Sequence, residues 1–246
     1  GRFGPIASVD VTQANFAAWR GAGTWPPVPN LTGAPVLPTR RALLVIDVQN
    51  EYFDGNLPIE YPDRQASLAN ILAAIHAARE AGVPVVLVQN IAPPGTPLFA
   101  EGSHGAELHP AIAAQPRALL LRKGLPSAFA ETGLQAWLTR HAVNTLSVVG
   151  YMTHNCVDAT VRHAAHAGYE VEVLEDATGS VSYANRAGHA TAETIHRTFM
   201  TVMQSRFANV VSTAQWIDAL RGTPLPPRES IHSSSQAARA LDGALA

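Results

Sequence analysis

Six short apolar runs recur along the chain: ALLVID (42–47), VPVVLVQ (83–89), ALLLR (118–122), TLSVVG (145–150), YEVEVLE (169–175) and ANVVS (208–212). They are continuous in Val, Ile and Leu rather than alternating, which is how strands read when both faces of a sheet are covered. Amphipathic stretches at 65–81, 132–141, 155–167 and 188–204 lie between them and predict helices. Gly82 and Gly168 follow two of these stretches, where a helix C-terminus favours glycine. This order predicts an α/β fold over residues 41–221: an open, doubly wound, mostly parallel sheet with helices on both faces, a Rossmann-like three-layer sandwich.

The flanks read differently. Residues 1–40 are rich in Pro and Gly and predict an extended arm, with Trp19 and Trp25 as large apolar groups in need of cover. Residues 222–246 predict a tail whose last stretch forms a short helix or stays mobile. A long, proline-rich stretch, IAPPGTPLFAEGSHGAELHPAIAAQP, separates the second and third strands. Loops of this length are usually functional, and this one leaves from a carboxyl strand end, where open α/β sheets bind ligands. It is a candidate wall or lid.

Composition narrows the function. The 246 residues are 47% hydrophobic, enough for a full core, and the net charge of −2 gives no electrostatic footprint for nucleic acid or anionic lipid. A small-molecule substrate is expected. The single cysteine, Cys156, excludes an internal disulfide scaffold. No run is long and apolar enough for a membrane span, and the N-terminus lacks the order of a signal peptide, so a cytoplasmic enzyme is the expectation.

Three reactive groups fall at predicted carboxyl strand ends: Asp47 after the first strand, Lys123 after the third, and Cys156 a few residues beyond the fourth. Each alone has an ordinary reading, as turn residue, solvated lysine or small buried thiol. Together on one sheet edge they predict a nucleophilic site. Thr153 or Asn155 can cap the helix that follows the fourth strand, which would put Cys156 in its first turn. There the helix dipole and Lys123 would favour the thiolate, and free N–H groups could hold an oxyanion.

The stretches Asp47-Val48-Gln49-Asn50-Glu51-Tyr52-Phe53, Lys123-Gly124-Leu125-Pro126-Ser127-Ala128-Phe129 and Gly150-Tyr151-Met152-Thr153-His154-Asn155-Cys156-Val157-Asp158-Ala159-Thr160 resemble the motifs of the isochorismatase-like cysteine hydrolases, over roughly residues 40–220. That family includes nicotinamidases, N-carbamoylsarcosine amidases, ureidoacrylate amidohydrolases and isochorismatases. Isochorismatases cleave a vinyl ether and generally lack the cysteine, so Cys156 favours the amidase side. The resemblance implies catalysis by Asp47, Lys123 and Cys156, an oxyanion hole from the N–H groups of Met152 and Cys156, and a non-proline cis peptide at Tyr151–Met152. It also implies a homo-oligomer, dimer or tetramer. Phe53, Phe129 and Tyr151 are the candidate substrate-pocket residues.

No metal or other cofactor is expected. Metal-dependent nicotinamidases carry D-x-H after the second strand; here Gln89-Asn90-Ile91 stands there, and His104 and His109 offer two ligands at most. His163 and His166, three apart on one predicted helix, read as polar-face residues. His154 is a secondary candidate for a Cys–His dyad. Competing readings are a vinyl ether hydrolase, a thiol redox or sensor protein without a resolving cysteine, and a silent scaffold.

Overall fold

The structure, a computed structural model, describes residues 38–243. The expected arm, with Trp19 and Trp25, lies outside the described residues.

The six apolar runs form six strands: β1 (Arg41–Ile46), β2 (Val85–Asn90), β3 (Leu119–Lys123), β4 (Thr145–Tyr151), β5 (Glu170–Gly179) and, later in the chain, β8 (Asn209–Val211). They build one sheet in the order β3-β2-β1-β4-β5-β8, with every pairing parallel. The chain winds outward from β1 to β3, then returns beside β1 as β4 and winds the other way. The switch point therefore lies between β1 and β4, where such sheets open a crevice beyond their carboxyl ends.

Both faces are covered, as the continuous apolar runs require. Leu43, Val45, Leu87 and Val149 face α1 (Arg64–Glu80) and Trp216 of α6 (Thr213–Leu220). Leu44, Ile46, Val86 and Val148 share the opposite core with Leu134 and Leu138 of α3 (Leu134–Arg140), Val161 of α4 (Asp158–His166) and Met200 of α5 (Ala192–Arg206). The one-turn helix Pro110–Ala113, α2, sits in the long loop after β2.

At the amino ends of the strands lies a part-buried ion pair. Arg41 Nη2 donates to Glu172 Oε1 at 2.8 Å, and Glu172 Oε2 also accepts from Ser147 Oγ at 2.7 Å and Trp216 Nε1 at 2.9 Å.

Several expectations need correction. The predicted helix at 188–204 begins only after a hairpin, β6 (Tyr183–Asn185) with β7 (Gly188–Ala190), and Thr191 then caps α5 by accepting from the Thr194 N–H at 3.2 Å. α6 was not anticipated, although Ser212 and Gln215 form a capping box at its start. The tail is tied to the domain by Asn209 Nδ2 donating to Pro226 O at 2.8 Å, and it ends in helix α7 (Ile231–Gly243). Among the described residues no helix is long and apolar enough to cross a membrane.

Candidate active site

Asp47 follows β1 directly and takes a left-handed backbone with φ of 52°, turning the chain at the carboxyl end of the strand. Its N–H donates to Val88 O of β2 at 2.9 Å, which fixes the turn. Across the switch point Ile46 pairs with Gly150, which has φ of 107°; a Cβ there would strike the Ile46 backbone, so only glycine lets β1 and β4 close this near the site.

Lys123 ends β3, and its side chain is buried against β1 and the turn after β4. Its Nζ lies 2.7 Å from Asp47 Oδ2, donates to Cys156 Sγ at 3.2 Å and meets Asn90 Oδ1 at 3.3 Å. The side chains of Asp47 and Lys123 are 0% exposed, and Cys156 as a residue is 6% exposed. The structure thus brings the three predicted residues, from three strand ends, into one buried cluster.

Cys156 is not in the first turn of an α-helix. It lies in a π-turn, Thr153–Val157, which follows Met152 without any side-chain cap. One of the two expected caps is used elsewhere: Thr153 Oγ1 is bonded to His196 Nδ1 at 2.9 Å. The Tyr151–Met152 peptide is cis, as expected from the resemblance.

The electrostatics also depart from expectation. The thiol is not depressed; burial first, then the Asp47 carboxylate, push it up to about 12, with Lys123 pulling the other way. The sulfur therefore rests protonated. Burial likewise raises Asp47 above the usual carboxylate range, against the pull of the Lys123 ammonium. Lys123 loses by burial, but Asp47 and Cys156 outweigh that loss and raise it, so it stays charged. Neither Asp47 oxygen has a donor in good hydrogen-bonding geometry among the described residues, although the Lys123 ammonium lies 2.7 Å from Oδ2. The Asn90 N–H, though close enough to influence the carboxylate, is spent on Gln49 Oε1 at 2.9 Å.

Gln49 and Asn90 are site residues that sequence reasoning missed. Gln49 Nε2 donates to Asn90 O and Ala106 O, each at 2.8 Å, fastening the carboxyl ends of β1 and β2 to the long loop. His109 N donates to Val48 O at 2.9 Å and continues that attachment. The loop histidines have ordinary partners: His104 Nε2 meets Asp54 Oδ1 at 3.1 Å, and His109 Nδ1 accepts from the Ala111 N–H at 3.3 Å. Among the described residues no three His, Cys, Asp or Glu side chains are grouped to hold a metal.

The three expected pocket residues fare unequally. Phe129 shares the apolar cluster that contains Cys156 and stacks on His163 at 4.8 Å. Phe53 packs against His109 at 4.4 Å. Tyr151 faces no opening: its ring is enclosed and its hydroxyl is 2.6 Å from Ser67 Oγ, a core strut instead of a pocket wall. His154 forms no bond to Cys156; its Nδ1 is paired with Ser180 Oγ at 3.1 Å.

Residues 41–215 match the isochorismatase domain model. The chain belongs to the isochorismatase family. A family crystal structure from Burkholderia xenovorans LB400, a provisionally assigned isochorismatase, is 59% identical with a TM-score of 0.82, covering 84% of this chain and all of that one. The uncharacterised isochorismatase family protein YddQ of Bacillus subtilis (strain 168) is 33% identical over 178 residues, 72% of this chain and 98% of its own. The ureidoacrylate amidohydrolase RutB of Methylobacterium radiotolerans is 30% identical over 223 residues, 76% of this chain and 81% of its own. This family membership makes the chain a hydrolase by kinship.

Proposed function

We propose that the protein hydrolyses a carbon–nitrogen bond (amide, ureide or carbamoyl) of a small molecule through a thioester on Cys156. The observation that carries this reading is the buried Asp47–Lys123–Cys156 cluster, with Lys123 Nζ 2.7 Å from Asp47 and 3.2 Å from the sulfur. Kinship with an amidohydrolase supports the choice of bond.

Asp47 accepts the Cys156 proton as the sulfur attacks the carbonyl. Because the thiol and the carboxyl are both raised, the proton moves only when a carbonyl is present to take the negative charge. The Met152 and Cys156 N–H groups receive the oxyanion. Asp47 returns the proton to the departing nitrogen, and the amine leaves. A water molecule then gives its proton to Asp47 and adds to the thioester. Collapse expels the sulfur, which regains that proton, and the acid departs. Lys123 remains charged throughout and balances whichever of Asp47 or Cys156 is negative.

Ammonia release, screened over small amides, ureides and imides beside Cys156→Ala, tests the reading. It expects release by the wild type alone; release at equal rates by both proteins would refute it.

A further inference from the structure

β8 pairs with Glu172, Val173 and Leu174 and stops there, while β5 continues beyond it through Glu175 and Asp176. A cavity of about 450 Å³ opens at this place, lined by these two carboxylates, by Tyr61, and by His196, Arg197 and Met200 of α5. Its walls are held from behind. The Tyr61 N–H donates to Ser180 O at 3.3 Å, and Tyr61 O accepts from the Ser180 N–H at 2.8 Å. Asp176 Oδ1 accepts from the Thr213 N–H at 2.8 Å and from Thr213 Oγ1 at 2.7 Å.

His196 links this cavity to the nucleophile turn. The residue is 5% exposed, its ring meets Tyr61 edge-on with centroids 5.4 Å apart, and its Nδ1 is bonded to Thr153 Oγ1 at 2.9 Å. Thr153 is the first residue of the π-turn that carries Cys156. Nε2 is the ring nitrogen left to the cavity, and among the described residues it has no hydrogen-bond partner. Burial first, then Arg197 and His154, lower the imidazole to about 4, so it stays neutral and keeps one nitrogen as an acceptor. A buried polar group with one side unpaired and turned to a cavity is a place that a ligand completes.

Charge selects the ligand. The cavity sets two carboxylates against one guanidinium. Arg197 is already engaged: its Nε donates to Glu193 Oε1 at 2.8 Å, and its guanidinium stands 5.5 Å over the Tyr61 ring. Among the described residues the Glu175 carboxylate forms no ion pair or hydrogen bond, and Asp176 keeps Oδ2 uncommitted. Two free acceptors of negative charge and a neutral imidazole nitrogen suit a donor that is positively charged.

We infer that this cavity is a binding site for a small primary ammonium ion with a short apolar chain, beside the reacting cluster of Asp47, Lys123 and Cys156. The ammonium donates to Glu175, Asp176 Oδ2 and His196 Nε2, and the chain lies against Met200 and Tyr61. With Nε2 accepting, Nδ1 carries the proton and donates to Thr153 Oγ1. Occupancy therefore fixes the hydrogen bond at the start of the nucleophile turn. The site does not depend on which bond the enzyme cleaves.

The test is a titration of the ¹⁵N-labelled full chain with n-butylammonium, n-butanol and butyrate at constant ionic strength, read from the imidazole nitrogens by NMR. The His196 signals are assigned as those lost in His196→Gln. n-Butylammonium should shift them saturably, at least about tenfold more tightly than the alcohol or the carboxylate, with the proton on Nδ1 in the bound state. Glu175→Gln, a change on an exposed side chain, should weaken binding about fivefold. No saturable shift in the wild type, equal or tighter binding of butanol or butyrate, a proton on Nε2 in the bound state, or unchanged affinity in the well-folded Glu175→Gln protein overturns the assignment.

Discussion

The same sheet carries an ion pair at each end, part-buried at one and fully buried at the other, and their carboxylates are satisfied differently. At the amino ends, Glu172 accepts from Arg41, Ser147 and Trp216, so its carboxylate is filled with donors. At the carboxyl ends, Lys123 Nζ lies 2.7 Å from Asp47 Oδ2 as an ion pair, and among the described residues neither oxygen of Asp47 has a donor in good hydrogen-bonding geometry. Burial alone therefore does not mark chemistry. A saturated carboxylate is a rivet, whereas one left with spare accepting capacity beside a thiol is a base in waiting.

The sharpest way to break this comparison is to neutralise each acid in turn. Asp47→Asn should lower kcat by roughly a thousandfold or more, because the sulfur loses its proton acceptor. Glu172→Gln should leave kcat within about twofold per folded molecule, since it lies at the far end of the strands. Steady-state kinetics on both variants decide the matter, and a collapse of turnover in Glu172→Gln would erase the distinction.

Stability should respond the other way. Glu172→Gln breaks a pair with a partly exposed arginine, which discounts the cost of breaking a buried pair to roughly 2 kcal/mol, a Tm fall of about 4–8 °C. Thermal unfolding followed by circular dichroism reads this directly.

The pH profile sharpens the comparison further. Turnover requires ionised Asp47, whose pKa is raised, so activity should fall as pH drops through a point above the usual carboxylate range. An acid limb of kcat/KM in the ordinary aspartate range would show that Asp47 is not the base.

The smallest effect is expected from Asn90→Ala, which removes one contact to Lys123 Nζ and leaves the ion pair. A loss of about threefold to tenfold in kcat/KM, with Tm nearly unchanged, is the expected outcome.

Most of the fold was legible because both faces of the sheet are covered, and that demand writes itself as unbroken runs of Val, Ile and Leu. Asp47, Lys123 and Cys156 were legible for a related reason: each stands at or just past such a run, where strand ends converge. What lay hidden depends on residues far apart in sequence. Gln49 looks like any polar loop residue until it spans Asn90 and Ala106, and Glu172 looks like an exposed strand residue until Arg41 reaches it across 131 positions. The direction of the thiol shift was misread because the dipole argument is local, while burial and the Asp47 carboxylate act through the fold. The β6–β7 hairpin carries no apolar alternation and so had no pattern to announce it. The capping box of α6, by contrast, stood in plain sight as Ser212-Thr213-Ala214-Gln215.

The central claim is that Cys156 carries the substrate as a thioester with Asp47 as its proton acceptor. Intact-protein mass spectrometry after mixing with p-nitrophenyl acetate tests it most directly. The account predicts a single added acetyl group on the wild type, located on Cys156 by peptide mapping, formed far more slowly in Asp47→Asn and absent in Cys156→Ala. Acetylation at another residue, or adduct formation at the same rate in Asp47→Asn, would contradict it.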